Sequence, residues 1–271
     1  MRNIQETYQK NGWVGPLPVF SRDEISHYHE LALDLEERLD FMKSDYRCKS
    51  NVLFSWVDEM SRHPALISYV EQLIGPNFHC WDVLFWIKRP GDGKKVSFHQ
   101  DATYWNFNNK EKAVSAWIAF NDVTEEQGPV EYVDGSHVLQ QKEHLDIKCG
   151  TNLLMRGQTV DSAIAKTSSS AIEAGSVLLH HPYVIHGSQP NRSVKPRVAC
   201  GMIFASTECE PVMKNKPEST VMIHGQDHFG HMRHDSRPGS DWEKNLKNWK
   251  QAYDDQHENY YALSEMNSRR S

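Results

Sequence analysis

The period of hydrophobic and polar positions changes twice along the chain and divides it into three stretches. In the first, SRDEISHYHELALDLEERL opens on Ser21 with Glu24 three residues later, the reciprocal capping pattern of a helix start. Ile25, Tyr28, Leu31, Leu33 and Leu35 then form an imperfect helical stripe. PALISYVEQLIG predicts another helix that stops at Gly75-Pro76. The middle stretch is denser in aromatic and β-branched residues. HCWDVLFWIK (79–88), AVSAWIAFNDV (113–123), PVEYV (129–133), SVLLHH (176–181) and RVACGMIFAS (197–206) predict strands, with turn signals such as DGSH and GSQPN between them. Residues 140–175 carry less pattern, and TSSSAIEAG reads as a loop entering a strand. The tail, SDWEKNLKNWKQAYDD, repeats the capping pattern at Ser240 and Glu243. Its Trp242, Leu246, Trp249 and Tyr253 share one helix face, best explained as packing on the core.

No internal repeat and no regular βα alternation is visible, which excludes a doubly wound sheet. The expectation is an α+β, mainly β protein: one domain over 1–271, an antiparallel barrel or sandwich with helical flanks at about 1–75 and 240–265. The 271 residues, 38% of them hydrophobic with eight Trp, ten Tyr and ten Phe, are enough to bury a sizeable core.

Charge narrows the function. A formal charge of -6 argues against a nucleic-acid partner, which would need a basic stripe. No apolar run approaches the roughly 20 residues of a membrane span, and MRNIQETYQKNGW has no hydrophobic signal core. Five cysteines at 48, 80, 149, 200 and 209, odd in number and without a CxxC, predict reduced thiols and a cytoplasmic protein. The expected partner is a small molecule; the oligomeric state stays open.

The candidate chemistry begins at SFHQDATYW (97–105), where His99 and Asp101 stand two apart. In an extended segment such residues share a face, and Gln100 between them points away. His186 follows an apolar run and precedes Gly187-Ser188, where a strand gives way to a turn, and Arg197 opens the next strand eleven residues later. Two imidazoles and a carboxylate on one face of an octahedral iron leave three positions open. The keto and carboxylate oxygens of 2-oxoglutarate can fill two and dioxygen the third. An arginine set back from the metal suits the far carboxylate, because its donors form a fixed fork.

His99-x-Asp101, the distal His186 and Arg197 eleven residues on resemble the phytanoyl-CoA dioxygenase family of iron(II)/2-oxoglutarate oxygenases. The resemblance runs from WVGPLPVFSRDEI to RVACGMIF through KRPGDGKKVSFHQD, VSAWIAFNDVTEEQGPVEYVDGSH and HGSQPN. It departs where this chain reads EYVDGSH and relatives carry a run ending in PGSH. The resemblance implies a double-stranded β-helix (a jelly-roll, cupin-like core). It also implies Trp117 and Ser188 as further co-substrate contacts, and Fe(II), 2-oxoglutarate and O2 as the reactive set. The implied reaction is oxidative decarboxylation of 2-oxoglutarate coupled to hydroxylation of an unactivated C–H bond. Halogenating relatives have a small residue where Asp101 stands, so its carboxylate implies hydroxylation.

The region from Lys88 to Trp105 most resembles members acting on small, polar, amine-bearing molecules. It implies 2-aminoethylphosphonate as the specific substrate, with free amino acids as the alternative. Lys88, Lys94 or Arg192 would meet a phosphonate. Tyr104, Trp105 and Asn106 would line the pocket, unless the aromatics pack in the core. Glu131 would meet a cationic group or face solvent. His180 and His181 read as packing or outer-layer residues, His137 as a turn residue and His144 as a surface one. HGQDHFGHMRHD (224–235) reads as a solvated loop or lid. Two other classes stay open: a non-catalytic metal- and 2-oxoglutarate-binding protein, and a zinc hydrolase built on the same ligands.

Overall fold

A computed structural model describes residues 3–39, 47–146, 150–154, 156–157, 167–169, 171–213 and 218–268; Cys149 lies outside them. The protein is a mixed α/β molecule dominated by sheets. The chain divides into two compact units, one of residues 1–42, 85–103 and 115–201 and the other of residues 43–84, 104–114 and 202–271. Three strands, Phe78–Lys88, Ala113–Ala119 and Arg197–Ser206, carry the chain from one unit into the other.

The first unit contains two antiparallel sheet segments. In one, strand Ser176–His180 lies between Trp13–Pro18 and the Ser115–Ala119 part of its strand, so that Trp13 and Ser115 both pair with His180. In the other, the order is Val96–His99, His186–Ser188, Val130–Val133, Thr167–Ser169. Trp117 and Leu178 from the first pack with Val130 and Tyr132 from the second, together with Ile172, Val184 and Ala199. Helix Arg22–Leu39 begins as its sequence predicts: the Ser21 N–H donates to Glu24 Oε2 at 2.8 Å and the Glu24 N–H to Ser21 Oγ at 3.2 Å. Ile25 and Ala32, rather than the whole leucine stripe, are its buried positions.

The second unit pairs Phe78–Leu84 with Ser219–His224 antiparallel, and the latter with the short strand Arg233–His234 in parallel. Trp81, Trp105, Phe107, Ala113, Ile203, Ala205, Cys209 and Met232 form its core. Helix Trp242–Ser268 is held by Trp249, whose Nε1 donates to Cys48 O at 2.9 Å, and by the fully buried Ala252. Trp242, expected on the same buried face, is 44% exposed and lies over Phe54.

The five predicted strands are all present, and the predicted second helix is Pro64–Ile74 with Gly75 as its C-cap. The N-terminal flank differs from the expectation: strand Trp13–Pro18 interrupts it between helices Ile4–Asn11 and Arg22–Leu39. A six-residue segment with glycine and two prolines carries little periodic signal, and its pairing with Ser176–His180 makes it a strand. The described cysteines, at 48, 80, 200 and 209, are free thiols. No described helix is long and apolar enough to cross a membrane.

Candidate metal centre

The second sheet segment of the first unit brings two of the predicted ligands together by register. His99 is the last residue of Val96–His99, His186 is the first of His186–Ser188, and the two are direct cross-strand partners. Their ring centroids stand 4.2 Å apart. The pairing needs Gly187: a Cβ there would lie 2.9 Å from Val96 O and 3.1 Å from Phe98 N.

Asp101 arrives differently from the expectation. The strand ends at His99, and Asp101 opens a short 3-10 turn, Asp101–Thr103. Gln100 makes the bend. Fully buried, it donates from Nε2 to Gln140 O at 2.8 Å and Tyr183 O at 2.7 Å, and its Oε1 accepts the Lys142 N–H. Its backbone N–H meets His144 Nε2 at 2.9 Å, so His144, read as a surface residue, is in fact buried.

Asp101 Oδ1 then lies 3.3 Å from His99 Nε2 and 3.6 Å from His186 Nε2. One donor atom from each of the three residues falls within 4.8 Å of the other two. Partners of the other ring nitrogens fix the tautomers. His99 Nδ1 is 2.9 Å from Ser97 O and His186 Nδ1 is 3.1 Å from Val184 O. A carbonyl only accepts, so each Nδ1 carries the proton and each Nε2 presents a lone pair. Burial, then the neighbouring His99 and His180, holds the His186 pKa well below its ordinary value. Burial pushes the Asp101 carboxyl up, but the imidazoles of His186, His180 and His99 around it outweigh that and leave the pKa well below the carboxylate range. Two imidazole nitrogens and a carboxylate oxygen, all Lewis bases, therefore converge on one point. They repel unless a cation lies among them, and the mixed nitrogen and oxygen set suits iron(II).

The other carboxylate oxygen is held from behind. Ser115 Oγ donates to Asp101 Oδ2 at 2.5 Å, and His180 Nε2 lies 3.1 Å from the same oxygen. His180 Nδ1 is 3.1 Å from the Tyr132 hydroxyl, and Tyr132 stacks on Trp13 at 4.6 Å. Burial pushes the Tyr132 phenol up, so it keeps its proton. His180 is thus an outer partner of Asp101. His181 instead faces His137 and Tyr8. Sequence reasoning missed Ser115 and Tyr132. The available signal was alternation: Ser115 stands two residues before Trp117 on the same strand face.

Trp117 leads to the other end of the site. Arg197, 1% exposed, lies over its indole at 5.4 Å and donates from Nη1 to Gly128 O at 2.6 Å. Its Nε has no partner among the described residues, and burial lowers its pKa only to about 10, so it stays charged. Gly128 can offer that carbonyl because it sits at φ +64, where a Cβ would collide with Gln189 O. Lys88, expected at the substrate, is fully buried here: Nζ donates to Ser188 Oγ at 2.6 Å, Ser188 O at 3.1 Å and Gln189 O at 2.7 Å. Burial, then Arg197, pushes its pKa down to about 6. A guanidinium, an amine and a hydroxyl are thus buried at this end.

The remaining predicted residues lie elsewhere. Tyr132 is the strand residue on His180 and His186, so its neighbour Glu131 faces the opposite side and accepts from Thr167 Oγ1 at 3.4 Å. Lys94 is 3.9 Å from Asp92, and Arg192 is exposed. Tyr104, Trp105 and Asn106 belong to the second unit. There Trp105 packs on Trp81 and Phe107, Asn106 donates to Glu218, and Tyr104 stacks on Tyr260. Among the described residues the 224–235 segment forms no metal-binding group; His234 meets Asp227 at 2.9 Å.

The profile of the phytanoyl-CoA dioxygenase (PhyH) family matches residues 8–199, which include every residue of both ends of the site. The chain belongs to this family of dioxygenases. The peroxisomal phytanoyl-CoA dioxygenase of Bos taurus is 30% identical over 74% of this chain, which spans 67% of that protein. The L-proline trans-4-hydroxylase of Streptomyces griseoviridis is 24% identical over 79% of this chain and 90% of its own length. A probable alpha-ketoglutarate-dependent hypophosphite dioxygenase of Stutzerimonas stutzeri is 23% identical over 60% of this chain and 57% of its own. Among solved structures, the non-heme monooxygenase ThoJ superposes with a TM-score of 0.85 at 21% identity, over 97% of this chain and 99% of ThoJ, a likeness of fold.

Proposed function

We propose that the chain is an iron(II)- and 2-oxoglutarate-dependent hydroxylase of a small, polar, amine-bearing metabolite, with 2-aminoethylphosphonate as the specific substrate. The observation that carries the reading is the convergence of His99 Nε2, His186 Nε2 and Asp101 Oδ1. These three would hold the iron, which supplies dioxygen activation coupled to decarboxylation of 2-oxoglutarate. Arg197, with Lys88 and Ser188, binds the distal carboxylate, and the Trp117 indole under the guanidinium fixes its plane. His99, His186, Lys88, Ser188 and Arg197 are buried, so the chain's share of the reaction is to orient the co-substrate and limit water around it. The paired antiparallel segments around the ligands fit a double-stranded β-helix, and the whole chain acts as one oxygenase domain.

The hydrogen bond from Lys88 to Ser188 Oγ supports assigning this lysine to the co-substrate rather than the substrate. The stacking of Trp105 on Trp81 and Phe107 favours a core role for that aromatic. The hypophosphite relative supports a phosphorus oxyacid as substrate. A free amino acid is the second reading, favoured by the proline hydroxylase relative, with which this chain shares 90% of that protein's length. The test is anaerobic loading with iron(II) and 2-oxoglutarate, then air and a substrate panel read by succinate. Stimulation by 2-aminoethylphosphonate and not by L-proline or other amino acids supports the first reading, and the reverse supports the second. Oxygen uptake that needs both iron(II) and 2-oxoglutarate separates an oxygenase from a zinc hydrolase or a non-catalytic binder.

A further inference from the structure

Asp101 is the ligand whose binding mode is least determined by the ligand set. A carboxylate with both oxygens unengaged can close on a metal through both, taking two positions where the reaction needs it to take one. In this protein a row of side chains across three strands bears on that choice. Trp13 and Ser115 are the register partners of His180 on either side, so the three side chains stand on one sheet face. Ser115 Oγ lies 2.5 Å and His180 Nε2 lies 3.1 Å from Asp101 Oδ2, while Oδ1 alone faces His99 and His186. Trp13 does not touch the carboxylate. It stacks on Tyr132 at an interplanar angle of 11°, and its Nε1 donates to Asp134 Oδ1 at 2.7 Å. The Tyr132 hydroxyl stands at His180 Nδ1, 3.1 Å away.

We infer that His180 and Ser115 are positioning residues that hold Asp101 Oδ2 away from the metal, so that the carboxylate binds through Oδ1 alone. The donor assignment follows from the partners. A carboxylate oxygen only accepts, so His180 Nε2–H and the Ser115 O–H both donate to Oδ2, and His180 Nδ1 is left to accept from the Tyr132 O–H. With two donors on it, Oδ2 has no free lone pair in the direction of the metal. Binding through one oxygen leaves three positions open on a six-coordinate metal, the number that a bidentate 2-oxoacid and dioxygen require. His180 is 4% exposed, and the ligand set itself does not include it. The inference rests on the proposed metal site and adds how that site sets its coordination number.

The test uses the full chain under anaerobic conditions. It measures the dissociation constant for iron(II), the visible spectrum of the cobalt(II) form, and the tightening of metal binding by 2-oxoglutarate. The variants are His180→Phe, His180→Gln, Ser115→Ala and Tyr132→Phe. Loss of an outer partner weakens metal binding by about 10- to 100-fold, which is the effect expected of His180→Phe. His180→Gln keeps an N–H for Oδ2 and recovers most of it, and Tyr132→Phe, which only frees the tautomer, falls between. In the Phe variant the cobalt spectrum shifts and 2-oxoglutarate tightens metal binding less. A purely structural role would lower the melting temperature and leave the cobalt spectrum and the Gln rescue unmoved. If His180→Phe does not fold, Ser115→Ala and Tyr132→Phe carry the same readouts. Metal affinity and cobalt spectra equal to wild type in these variants overturn the inference, whereas a wild-type protein that binds no iron(II) overturns the metal site itself.

Discussion

The two ends of the site are opposites in composition and in how the fold makes them. At one end, two imidazole nitrogens and a carboxylate oxygen converge at 3.3 and 3.6 Å. At the other, a guanidinium, an amine and a hydroxyl gather around Ser188 and Trp117, and donors dominate. Each end alone is electrostatically unfavourable. Together they fit a metal cation joined to a dianion with one carboxylate beyond the metal's reach. The metal end is assembled by register between neighbouring strands and a bend at Gln100. The anion end depends on side chains reaching from three separate strands and on one left-handed glycine. The difference predicts that substitutions at the two ends fail in distinguishable ways.

The largest effect belongs to Asp101→Ala or His186→Ala. Removing a ligand should lower iron(II) affinity beyond the about 10- to 100-fold of an outer-partner loss and abolish hydroxylation, as measured by metal titration and succinate release. Chloride added to Asp101→Ala sharpens the role of the carboxylate; hydroxylation that continues unchanged contradicts it. Arg197→Ala comes next. Truncating one partner of a buried, hydrogen-bonded charge pair costs roughly 2–5 kcal/mol, or about 30- to 4,000-fold. That loss should appear in the KM for 2-oxoglutarate with iron affinity unchanged. Arg197→Lys keeps the charge and loses the fork, so it falls between.

Gly187→Ala tests the register itself. The added Cβ meets Val96 O at 2.9 Å, and overpacking of this kind costs about 1–3 kcal/mol, read as a lower melting temperature and weaker iron binding together. The smallest effect concerns pH. Burial and Arg197 lower the pKa of Lys88 to about 6 in the free protein, and an arriving carboxylate favours its ammonium form. Affinity for 2-oxoglutarate should therefore be fully developed below pH 6 and weaken as pH rises above it. The slope is at most about tenfold per unit for one proton. Lys88→Met should be weaker throughout and flatter with pH.

The gathering of His99, Asp101 and His186 was legible in the sequence because it involves few residues at informative spacings. His99, Asp101, His186 and Arg197 could be named from two short motifs, and the five strands around them follow from dense runs of aromatic and β-branched residues. The turn at Asp101 was not legible, since its cause is long-range: Gln100 is held by backbone groups at 140, 142 and 183. Lys88 was assigned to the substrate because a lysine near a ligand motif says nothing of its direction, and its burial against Ser188 depends on a pairing a hundred residues away. Ser115 and Tyr132 escaped for a related reason. A serine or tyrosine inside an apolar strand reads as filler until the register sets it beside a ligand.

If the two ends act on one metal and one dianion, anaerobic iron(II) titration must respond to 2-oxoglutarate. The protein should bind one iron per chain, tighter in the presence of 2-oxoglutarate, with the tightening lost in Arg197→Ala and the binding lost in Asp101→Ala. Iron binding that is indifferent to 2-oxoglutarate, or that survives Asp101→Ala, would contradict it.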